Sequence, residues 1–129
     1  MKRMLKGGLR VGLGVMGALG CLIALRAWSD PGLVGAQLGL SPVGGLGEAT
    51  IRADIAGFFA GGGLLSIMAA LRDDARLLTP PLLLVAIALS GRALTLVLNG
   101  LEPAMAPPMI IEAGLLAILL LGRLTLSRS

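Results

Sequence analysis

The chain has no histidine, no tyrosine and a single cysteine, Cys21. Without histidine it lacks the commonest ligand of haem, zinc and non-haem iron, and the usual general base near neutral pH. Histidine-based triads and histidine-ligated pigments are therefore excluded, and no metal set or cofactor is expected. One cysteine closes no intrachain disulfide and holds no cysteine cluster, so Cys21 reads as a small packing residue. Charged residues are also scarce, at 14% of 129 residues. A soluble domain this small could not cover its apolar surface with so few polar side chains.

What the chain has in abundance is apolar sequence: 56% hydrophobic residues and a mean hydropathy of +0.93. It falls in four runs, Val11–Leu25, Ile51–Leu71, Leu77–Leu98 and Met109–Leu126. A helix needs about 20 apolar residues to cross a bilayer, so four crossings use up most of the chain. The expectation is an all-α, four-helix transmembrane bundle of antiparallel up-down hairpins. It forms a single membrane domain over 1–129, with helices near 8–27, 49–71, 77–98 and 107–126.

The connections carry turn chemistry. Asp30-Pro31-Gly32 is a turn signal beside Trp28, an interfacial residue type. Leu33–Leu40 allows either a short interfacial helix or a loop packed on the bundle. Arg72-Asp-Asp-Ala-Arg76 is a tight polar turn, and Pro80-Pro81 falls in a first helical turn, where proline is tolerated. Ala18-Leu-Gly-Cys21 faintly resembles a lipoprotein cleavage box, but Leu22–Leu25 continues the apolar run past it, so an uncleaved first helix is expected.

The net charge of +4 and pI near 10.7 do not point to nucleic acid. The basic residues flank apolar runs, without aromatic interleaving or a basic face. Lys2, Arg3, Lys6, Arg10, Arg72, Arg76, Arg123 and Arg128 fall on one side of a four-span topology. The positive-inside rule then puts both termini in the cytoplasm of a bacterial inner membrane.

Ionisable residues inside the runs are the candidate site, because charge within a spanning helix is costly and usually faces a partner or internal water. Glu48 and Arg52 are four apart and can pair. Asp54 shares a helical face with Gly57 and Gly61, a small-residue pattern that suits helix packing, so it is expected to point into the bundle. Arg92, Thr95 and Asn99 form a stripe on the third long helix, with Glu112 on the fourth. Helix depth places Asp54, Arg92 and Glu112 in the outer half of the membrane. The expected arrangement is one cluster of Asp54, Arg92 and Glu112 with Glu48 and Arg52 at its rim. With three carboxylates against two guanidiniums, burial would favour a proton on the surplus acid. Such a cluster suits a small anion, a polar headgroup or a proton relay. The plainer reading is a buried ion pair that holds helix register.

From Gly47 to Arg123 the chain resembles a bacterial family of small four-helix membrane proteins known only as domain of unknown function 4345. The residues carrying the likeness are Glu48 with Arg52 and Asp54, the Gly57–Gly63 patch, Gly91-Arg92, Asn99-Gly100, Pro103 and Glu112. The resemblance implies a single four-helix membrane domain and brings no activity. Function is expected to be non-enzymatic, an accessory or scaffolding membrane component contacting lipid and a partner subunit or second copy. The alternative is a small carrier or binding protein for a polar lipid, a quinone-like molecule, an anion or a proton. An enzyme with a carboxylate base is the remaining reading, and no nucleophile or metal set supports it.

Overall fold

The structure, a computed structural model, describes residues 1–128, which are mostly helical with no strand among them. There are five helices: α1 (Lys2–Ser29), α2 (Pro31–Gln37), α3 (Gly44–Arg72), α4 (Ala75–Asn99) and α5 (Pro103–Thr125). All but α2 are long and apolar enough to cross a membrane. Each covers one expected helix and begins ahead of it; the first three also run past its expected end, while α5 stops one residue short, at Thr125. Hydropathy marks where a helix is apolar, whereas the backbone continues until a capping or turn residue stops it. Thus α1 runs on through the basic N-terminal residues and α3 begins at Gly44, five residues ahead of expectation.

Local chemistry explains most helix ends. The Asp30 carboxylate accepts from the Leu33 N–H at 3.1 Å and caps α2, so the stretch after Trp28 includes a short helix. Asp73 ends α3 in the left-handed conformation, at φ 51° and ψ 50°. Asp and Asn tolerate that region better than most side chains. Beyond it, the Asp74 N–H returns to the Ala69 carbonyl at 3.2 Å. A 3-10 turn, Ala75–Leu78, then opens α4, with Pro80-Pro81 in the first turn of its regular helix. Pro103–Met105 does the same for α5.

Two apolar clusters hold the helices. At one end Leu13, Ala69, Leu78, Leu119 and Leu126 are buried together. Toward the other end Ala24, Ala27, Val34, Ile51 and Ala56 form a smaller cluster beneath α2. Between them α1 and α3 meet backbone to backbone. A Cβ added to Gly17 would lie 2.5 Å from the Gly63 carbonyl oxygen, and one on Gly63 equally close to that of Gly17. Only glycine permits such an approach.

The expectation that Gly57 and Gly61 do the packing is corrected here. A Cβ at either would meet nothing within 4 Å, and both are exposed. Gly63 stands two residues from Gly61, about 200° around the helix, so a seam through Gly63 turns Gly61 outward. By contrast, α4 and α5 are tied to this body at one end only. Past Val85, α4 has no buried residue, and α5 has none before Leu119. Their far halves lean on each other.

Candidate functional site

The ion pair of α4 and α5 lies in those far halves. Arg92 Nε donates to Glu112 Oε1 at 2.6 Å, with side chains 33% and 16% exposed. Helix geometry explains how they meet. A Cβ on Gly122 would touch Leu78 and Leu13 side-chain carbons at 2.8 and 3.0 Å, so these residues share a layer. At 1.5 Å per residue Arg92 rises about 21 Å from Leu78, and Glu112 about 15 Å from Gly122. Side chains lean toward the N-terminus of their own helix. Since the two helices run from and toward the shared layer, Arg92 leans back and Glu112 leans outward, closing the offset.

Neither partner is fully used. The Glu112 Oε2 atom is buried and has no hydrogen-bond partner among the described residues. The Arg92 guanidinium bonds only through Nε, leaving both η nitrogens without a bond to the described residues. Arg92 lies seven residues beyond Val85 and Glu112 seven before Leu119. Each therefore continues the stripe that its helix buries at the packed end.

Along that stripe lies an apolar cleft of about 70 Å³, bounded by α1, α3, α4 and α5. Gly17, Gly20, Gly62 and Gly63 form its floor, and Phe58, Phe59, Leu84 and Leu115 its walls. Phe58 and Phe59 pack edge to face with ring centres 5.3 Å apart. Its floor is bare backbone, because Gly17, Gly20 and Gly63 lie where α1 and α3 touch and carry no side chain.

The single expected cluster is not formed among the described residues. Asp54 is exposed and makes no ion pair with the described residues, because α3 packs through Ala56, Gly63 and Ser66 and turns the Asp54–Gly57–Gly61 face away. Arg52 and Glu48 do pair, at 3.5 Å, but on the exposed side of α3. The stronger role of Arg52 is with α1: its Nε donates to the Trp28 carbonyl at 3.0 Å, while Trp28 Nε1 donates to the Arg52 carbonyl at 2.9 Å. Arg52 sits in a π-helical turn, Ile51–Ile55, a local widening that loosens the ladder and makes a carbonyl available. Thr95 bonds only its own helix, through the Gly91 carbonyl at 3.0 Å.

A second polar group, not expected from the sequence, gathers at the opposite end. Lys6 Nζ lies 2.7 Å from Asp73 Oδ2 and donates to Ser127 Oγ at 3.0 Å. Ser127 donates to Asp73 through Oγ at 2.9 Å and through its N–H at 3.2 Å. The Ser127 carbonyl accepts from the Ala75 N–H at 2.7 Å. Nearby, Arg10 donates to the Ala70 and Leu71 carbonyls at the end of α3, the terminus where a cation is favoured. The Lys6 ammonium, joined by the Ser127 donors, holds the Asp73 carboxyl at about 2, below its ordinary 3.8. Two aspartates in a turn facing a basic N-terminus were the available signal. The pairing through Ser127 required knowing that the chain beyond α5 folds over that turn.

Among the described residues, no three cysteine, aspartate or glutamate side chains converge as a metal site would require. No family model matches the chain, and no curated protein or solved structure matches it.

Proposed function

We propose that this chain is a multi-pass protein of a bacterial inner membrane, an up-and-down bundle of four spans with both termini in the cytoplasm. It acts without catalysis, as an accessory or scaffolding component packed against another membrane helix. The likeness of Gly47–Arg123 to domain of unknown function 4345 belongs to this reading. The observation that carries it is the outward stripe of α3. Asp54, Gly57 and Gly61 follow at i, i+3 and i+7, all exposed, with open space over both glycines. Small residues let a neighbouring helix approach closely, and Asp54 sits near the interfacial end of that face, two residues from Arg52. Cross-linking in native membranes tests this. In a Cys21→Ala background, Gly61→Cys is expected to give one adduct of fixed mass. Val97→Cys, on the exposed face of α4, should give none. No adduct from Gly61→Cys, or the same products from both, overturns the docking face.

A second reading, a binding protein for a polar lipid or related amphiphile, is favoured by the unpartnered Glu112 Oε2 beside an apolar cleft.

A further inference from the structure

We propose that Arg92 and Glu112 form the headgroup site for an aminophospholipid, with part of an acyl chain in the glycine-floored cleft. This rests on the second reading above and names its ligand. The pair holds a buried acceptor without a donor, Glu112 Oε2, beside guanidinium η nitrogens without protein acceptors. A buried polar atom left unpaired is costly. A simple anion would engage Arg92 but leave that oxygen unpaired and be repelled by it. A simple cation would suffer the converse. A phosphate carrying a primary ammonium satisfies both: the guanidinium takes the phosphate oxygens in its usual fork, and the ammonium donates to Oε2.

The position suits such a headgroup. Trp28 stands 15 residues beyond Leu13, about 22 Å from the shared layer, and the pair lies between about 15 and 21 Å. Arg92 and Glu112 therefore sit just inside the level of an interfacial tryptophan. Leu115, one turn from Glu112, lines the cleft, as does Val85, two turns from Arg92. A headgroup on the pair thus has apolar wall directly beneath it. The cleft volume accepts a few carbons of a chain whose remainder lies in the bilayer.

The purified full chain, in detergent with an equimolar mixture of phosphatidylethanolamine, phosphatidylcholine and phosphatidylglycerol of identical chains, is read by native mass spectrometry. One phosphatidylethanolamine should be retained about tenfold over either competitor, the factor one charge-assisted hydrogen bond supplies. Glu112→Gln should narrow the gap between the ethanolamine and choline lipids, since its neutral amide offers the ammonium no charged acceptor. Arg92→Gln should lower retention of both. The wild-type competition decides the matter even if a variant fails to fold. Equal retention of ethanolamine and choline lipids, or preference for phosphatidylglycerol, overturns the aminophospholipid while leaving a binding site. No retained lipid overturns the binding reading as a whole.

Discussion

Asp73 does three jobs in one residue: it ends α3 in the left-handed conformation, accepts from Ser127 twice and pairs with Lys6. Its depressed pKa fixes the sign of a pH effect. The folded carboxyl sits at about 2 against an ordinary 3.8, so the folded state favours the ionised form. That stabilisation is fully present above about pH 4 and is lost as pH falls toward 2. The melting temperature in detergent is therefore expected to hold between pH 7 and 5 and to fall below pH 4. Asp73→Asn should start lower and lose much of that acid-dependent step. An unchanged step in the variant would assign it to other carboxylates, Asp74 first, whose pKa is lowered by its bonds to Arg76.

At the scale of elements, the α1–α3 seam is the principal contact, and it separates two glycines that look alike in the sequence. Gly63→Ala places a methyl 2.5 Å from the Gly17 carbonyl oxygen. The helices must then part, an overpacking cost of about 1–3 kcal/mol. Gly61→Ala meets nothing within 4 Å and gains helix propensity, so it should be neutral or stabilising by up to about 1 kcal/mol. Thermal unfolding of the two purified variants checks the pair. Equal destabilisation would mean that α3 presents a different face to α1. Glycine spacing marked α3 as a packing helix but not which face it packs with, since Gly57, Gly61 and Gly63 all lie within two turns. The choice was made by Gly17 and Gly20 on another helix, where a Cβ on Gly20 would lie 2.9 Å from the Phe59 carbonyl oxygen.

For the whole molecule, the two polar latches are separated by a telling distance. Lys6, bound to Asp73, and Trp28, bound to Arg52, are 22 residues apart on α1, about 33 Å. That is close to the thickness of a bilayer's hydrocarbon core, about 30 Å. Under the orientation proposed above, Ser41 lies outside and Arg76 inside. In a Cys21→Ala background, a membrane-impermeant maleimide should label Ser41→Cys in intact spheroplasts and Arg76→Cys only after permeabilisation. The reverse pattern would invert the bundle, and labelling of both from outside would break the four-span topology.

The apolar runs by themselves determined that this chain builds four long helices with little else, because nothing but a helix satisfies the backbone of twenty consecutive apolar residues away from water. The pairing of Glu48 with Arg52 was equally legible, being set by helical periodicity alone. Whether Asp54 joined Arg92 and Glu112 was a matter of rotation about α3, and a single helix carries no record of its neighbour's position. Tertiary packing decided it. Two backbones touching at Gly17 and Gly63 turned Asp54 outward, left Arg92 with Glu112 alone, and gave the cleft a floor of backbone.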